Sequence, residues 1–149
     1  MESVNGYKSQ LLKQGEITFV PKGNSMWPFF KNSAQSVVIA KKSAPLKVYD
    51  VAFYERENGE VVLHRVVAIL EDGYLMQGDS HLTVEPIKEE SVFGVMIGFY
   101  RKSDFIPTTD KKYTLKVEKW YKKKLLRKIK IKCFYFRVRL KNLFKRIFS

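Results

Sequence analysis

The chemistry this chain could perform is concentrated in Ser25, His64, Asp79, Glu85 and His81. A serine hydroxyl is a weak nucleophile until a neighbouring base takes its proton. Imidazole is the side chain that exchanges protons near neutral pH. A carboxylate can hold that imidazole and stabilise its cation. Ser25 lies in Gly23-Asn24-Ser25-Met26-Trp27-Pro28, where Gly23 frees the backbone to turn and Pro28 fixes φ and disfavours helix at Trp27. His64 sits mid-strand in Leu63-His64-Arg65-Val66-Val67. Asp79 falls in Gly78-Asp79-Ser80-His81, and Glu85 follows six residues later. Each has a plainer reading. A serine beside Gly and Pro usually marks a surface turn, an inward histidine is usually a satisfied core residue, and an aspartate after Gly often caps a turn. His81 reads more readily as a solvent-exposed loop residue than as a partner for a carboxylate.

These residues need elements to hold them, and the pattern supplies β-strands. Val4, Tyr7, Leu11 and Leu12 recur at near-helical spacing before Gly15, which predicts a short amphipathic helix over residues 2–14. Glu16 to Val20, Ser36 to Ala40, Val51 to Glu55, Val61 to Leu70, Tyr74 to Gln77 and Val92 to Tyr100 read as strands. Asn58-Gly59 and Asp72-Gly73 are hairpin signals, because these residues tolerate positive φ. Gly94 and Gly98 mark bulges or bends in the last strand. On a period-2 reading His64 shares the inward face with Val62, Val66 and Ala68, while Arg65 points the other way. The fold class is therefore mainly β: a compact antiparallel, coiled or barrel-like body.

Composition divides the chain. Residues 1–110 hold twelve Lys or Arg against fourteen Asp or Glu, net −2, and residues 111–149 hold sixteen against one, net +15, which together make the +13 of the 149-residue chain. This predicts a β domain over 1–104, then a linker and basic tail over 105–149, with Ser103 to Asp110 as the hinge. A single cysteine, Cys133, and two histidines exclude an intrachain disulfide and argue against a zinc site; no metal or cofactor is expected. No run of about 18 apolar residues predicts a transmembrane helix, and the first residues lack the pattern of a secretory signal.

In the tail, Tyr121, Leu125, Ile129, Cys133, Phe136, Leu140, Leu143, Phe144 and Ile147 recur at steps of three or four, lining one stripe of a long basic amphipathic helix. From Leu115 to Phe148 such a helix would span about 51 Å. Residues 130–140 also alternate partly like a strand, but the segment reads as helix. The basic face and apolar stripe predict an interfacial helix on an anionic membrane. Docking on the β body or a partner helix, and nucleic-acid binding, stay open as lesser alternatives.

Taken in order, the Ser-Met-x-Pro turn, the His-Arg-Val-Val strand and the following Gly-Asp turn resemble the S24/S26 serine peptidases, in particular signal peptidases. The resemblance covers about residues 15–100. It implies Ser25 as nucleophile and His64 as the base of the endoplasmic-reticulum, archaeal and spore-former branch, supported by Asp79 or by Glu85. Gly23 stands where many bacterial relatives carry a serine, and Ser80-His81 replaces their paired asparagines; Met26 completes the motif beside the nucleophile. The implied activity is a serine endopeptidase cleaving a leader or precursor peptide near a membrane. Such enzymes generally carry an N-terminal membrane anchor, so the basic tail is the expected substitute, giving a peripheral protein on the cytoplasmic side. A peptide-binding module without turnover is the alternative. A self-cleaving repressor of the LexA kind fits poorly, for want of a Lys base and an Ala-Gly or Cys-Gly cleavage site.

Overall fold

The computed structural model describes residues 4–30 and 35–147. The chain divides into two compact units, Met1–Thr114 and Leu115–Ser149. In the first, α1 (Val4–Gln14) precedes β1 (Glu16–Phe19), β2 (Val37–Lys41), β3 (Val51–Glu55), β4 (Val61–Ile69), β5 (Gly73–Gln77), β6 (Glu85–Lys88), β7 (Val92–Arg101) and β8 (Asp104–Pro107). Then come α2 (Lys111–Lys122), whose first turn belongs to this unit, and α3 (Lys124–Ile147) in the second unit. Residues 2, 3 and 148, at the ends of the two expected helices, lie outside the described residues.

The strands form one eight-stranded antiparallel sheet in the order β1-β2-β7-β3-β4-β5-β6, with β8 also on β7. The mainly β, antiparallel expectation holds. The sheet is open: among the described residues no ladder joins β1 to β6. β7 is its spine. One edge carries β2; along the other, Val92 to Val95 pair with β3 and Gly98 to Arg101 pair with β8. Register shifts beside Gly94 and Gly98 let one strand serve three partners, as a bulge bends a strand and increases its twist. The β3–β4 hairpin closes Glu55 on Val61 through Asn58-Gly59.

Apolar burial on both faces fixes this arrangement. One face gathers Leu46, Ala52, Tyr54, Val66, Tyr74, Met76 and Val92. On the other, Phe53 packs against Phe19 and Phe93 at ring-centroid distances of 5.3 and 5.0 Å, and Leu11 of α1 is fully buried. Burying such side chains stabilises the fold by roughly 1.5–3 kcal/mol each. A third aromatic group, Phe30, Phe99 and Tyr113, ties the segment after Ser25 to β7 and to the first turn of α2.

Three elements depart from the sequence expectation. Residues 103–110, read as the hinge between the β domain and the tail, instead form β8 and the turn into α2. Phe99 pairs with Ile106 and Gly98 with Pro107, and Asp110 accepts the Tyr113 N–H at 2.8 Å as the α2 N-cap. The first unit accordingly runs to Thr114 rather than 104. β6 was also unassigned; it is short, holds Pro86 and ends the strand order, where a missing ladder donor is tolerated. In the second unit the expected single long helix is interrupted at Lys123; residues 130–140 are helical, as expected despite their partial alternation.

Candidate active site

Ser25 is held from two sides. After β1 the chain passes through Gly23 at φ +85°, a conformation costly for any residue with a Cβ, and enters a turn closed by Trp27 N–H to Asn24 O at 3.0 Å and Phe30 N–H to Met26 O at 3.0 Å. Buried Met26 and Phe30 anchor that turn in the core. From the opposite side, the Gly78-Asp79-Ser80 turn grips its backbone. Ser80 N–H donates to Ser25 O at 2.9 Å, and Ser80 Oγ donates to Asn24 O at 2.8 Å. Gly78 permits this approach, since a Cβ there would stand 2.9 Å from Ser25 O and 2.7 Å from His81 Nδ1. Sequence reasoning assigned no role to Ser80 or Gly78; the Gly-x-Ser pattern beside the Ser25 motif carries no local signal that the two turns meet.

His64, in the middle of β4, is 3 % exposed. Its Nδ1 lies 3.1 Å from Tyr54 Oη and 3.2 Å from Glu85 Oε1. Tyr54 settles the tautomer. Its single proton goes to Glu85 Oε1 at 2.6 Å, so its oxygen accepts from His64, which therefore carries hydrogen on Nδ1 and leaves Nε2 as the basic nitrogen. Burial, reinforced by Glu85, pushes the Tyr54 phenol far up and keeps that proton in place. Glu85 is fixed in turn by a two-pronged contact with Arg56, Nε to Oε2 at 2.8 Å and Nη2 to Oε1 at 2.6 Å. Burial alone would raise the Glu85 carboxyl, but hydrogen bonds from Arg56 and Tyr54 overcome it and hold the pKa down to about 2. For His64 burial dominates, His81 adds to it, and Glu85 offsets them only in part, so its pKa falls to about 4. The imidazole is neutral at pH 7 and able to accept a proton.

Asp79 does not hold the imidazole. It is completely buried and takes both prongs of the equally buried Arg65, Nε to Oδ1 and Nη2 to Oδ2, each at 2.7 Å. Arg65 also donates to Tyr49 O and to Tyr113 Oη, and lies 5.2 Å from the Phe29 ring centroid. It leaves β4 on the face away from His64, so its ion pair braces the Ser25 turn from behind. The carboxylate beside the histidine is Glu85, on the strand the sequence did not reveal. His81 is also not the solvent-exposed loop residue expected: it is half-buried, with its ring centroid 5.2 Å from that of His64 in an edge-on arrangement.

Ser25, His64 and His81 line one cavity of about 230 Å³, bounded by Pro21 to Gly23 on one flank and Val61 to Leu63 on another, with Met26 and Phe30 in its lining. No hydrogen bond joins Ser25 to His64 among the described residues. Within the described residues no group of three His, Cys, Asp or Glu side chains is arranged to hold a metal ion. No family model, no curated protein and no solved structure matches this chain.

Proposed function

We propose that this protein is a serine endopeptidase of the Ser/His kind, akin to signal peptidases, that cleaves a leader or precursor peptide. The observation that carries the reading is the convergence of Ser25 and a neutral, Nε2-basic His64 on one cavity, with Glu85 seated behind the imidazole. His64 Nε2 takes the Ser25 hydroxyl proton as Oγ attacks the peptide carbonyl, and the resulting imidazolium gives that proton to the leaving amine. Glu85 and Tyr54 hold the ring through Nδ1 while the positive charge exists. Water then attacks the acyl-enzyme with His64 again as base. The Ser25 backbone amide is the nearest candidate to stabilise the oxyanion.

The substrate fits as an added strand. β5 pairs with β4 from Arg65 onward, leaving Val61 to Leu63, among the described residues, without a ladder partner on that edge, and these residues line the cavity. A second reading, peptide binding without turnover, draws on the unclosed Ser25–His64 contact. Mass spectrometry of peptide termini in host cells carrying wild type or Ser25→Ala separates the two. Termini that depend on Ser25 are expected; identical termini in both, with the variant folded, would overturn the peptidase reading in favour of the binding module.

A further inference from the structure

The second unit presents a surface that the peptidase reading does not use. α3 (Lys124–Ile147) carries ten Lys or Arg and no acidic residue. At ~1.5 Å per residue it is ~36 Å long. Leu125, Ile129, Phe136, Leu140, Leu143 and Phe144 are all exposed, from 39 % at Leu140 to 72 % at Leu125. At 100° per residue they fall on one stripe about 100° wide. Lys130, Arg137 and Lys141 border one side of it; Lys128, Lys132 and Arg139 border the other. Exposed apolar side chains in such a continuous line are rare on a surface that meets only water.

The geometry points to the surface of an anionic lipid bilayer as the occupant of this face. An interfacial helix buries its apolar stripe at the boundary between headgroups and acyl chains, and the long Lys and Arg stems on both flanks reach up to the phosphates. The charge is complementary to such a surface along the whole helix, and the stripe gives the depth that charge alone does not. A nucleic-acid strand would use the cations but not four exposed aliphatic side chains, since its backbone takes charge and its bases take aromatic rings. No helix among the described residues is long and apolar enough to cross a membrane, so the inferred mode is lying on the surface.

The test is co-sedimentation of the full chain with vesicles of phosphatidylcholine alone or containing a third phosphatidylglycerol. At least tenfold tighter binding to the anionic vesicles is expected, weakening with added salt. The double variant Phe136→Glu with Leu140→Glu changes two exposed positions and should lose at least tenfold of that binding with its circular dichroism unchanged. Phe136→Trp provides a second readout: it should add fluorescence quenched by lipids brominated on the acyl chain. Equal binding to both vesicles, an undiminished double variant or an added tryptophan signal that stays unquenched would overturn the proposal. So would tight binding to a single-stranded oligonucleotide without any binding to vesicles.

Discussion

Two carboxylates compete in the sequence for one histidine, and their arginine partners decide between them. Arg65 captures Asp79 on the far side of β4, whereas Arg56 presents Glu85 to His64. Their substitutions should therefore differ in kind. Glu85→Gln keeps the size of the side chain and removes the charge facing the imidazolium, so kcat for a cleaved peptide should fall by ~10²–10⁴-fold with the fold retained. Asp79→Asn strands a buried guanidinium and should cost ~3–5 kcal/mol in denaturant unfolding. A Glu85→Gln enzyme at full turnover would remove that residue from the mechanism. The pH response belongs to the same scale. Folded His64 binds its proton more weakly than the unfolded chain does, with a pKa of about 4 against an ordinary 6.5. Between those values the unfolded state takes up more protons. Stability is thus fully present above pH 6.5 and is lost as pH falls toward 4, by on the order of 3 kcal/mol. Glu85, held down to about 2, weakens the fold only as pH falls below its ordinary 4.5, a lower window. Urea unfolding between pH 7 and 4 should show this slope, and His64→Gln should flatten it. If neutral His64 is the base, as proposed, the acid limb of kcat/KM should likewise lie near pH 4 instead of 6.5.

Turns matter more than strands for the site, and they were the harder elements to read. The β3–β4 hairpin was legible because Asn58-Gly59 is a local signal, and His64 inherits its inward face from that register. The meeting of the Ser25 turn with the Gly78-Asp79-Ser80 turn was not, since it joins residues more than fifty positions apart through backbone carbonyls. β6 was hidden for another reason: Glu85-Pro86-Ile87-Lys88 has one apolar side chain besides its proline and no alternation, so the carboxylate that meets His64 sat on a strand with no pattern. Arg65 follows the period-2 reading in pointing away from His64, but not to solvent. A residue assigned to the outward face of β4 is fully buried, because its charge is matched by Asp79 and covered by Phe29 and Tyr113. The clamp on Ser25 gives the prediction at this scale. Ser80→Ala removes one hydrogen bond to Asn24 O and should lower kcat several-fold through a loosened nucleophile, about 1 kcal/mol, with KM little changed. Gly78→Ala, whose Cβ would press on Ser25 O, should be the more damaging of the pair. Unaltered kinetics in both would show that the clamp does not position Ser25.

At the scale of the whole molecule, charge and chemistry are divided between the units. The first has no net charge and holds every residue proposed for peptide cleavage; the second carries the whole net charge of +13 and the exposed apolar stripe. Sequence composition exposed that division but placed it too early, because residues 105–110 look like a polar connector until β8 is seen on β7. The boundary has a physical consequence. A chain ending at Lys123 keeps β8, the Asp110 cap and the Tyr113 hydroxyl that receives Arg65 Nη2. It should melt in one cooperative transition and retain turnover of a soluble peptide, while losing sedimentation with anionic vesicles. A chain ending at Lys102 loses the β8 ladder, and Phe99 and Arg65 lose their cover from Tyr113. It should unfold at markedly lower temperature, or fail to accumulate. Comparison of the two by calorimetry and peptide assay distinguishes a boundary near Thr114 from one near 104. Equal stability of both truncated chains would show that β8 is a dispensable connector, as the sequence first suggested. Collapse of both would show that the first unit depends on α3, and that the proposed attachment and cleavage are not separable in this chain.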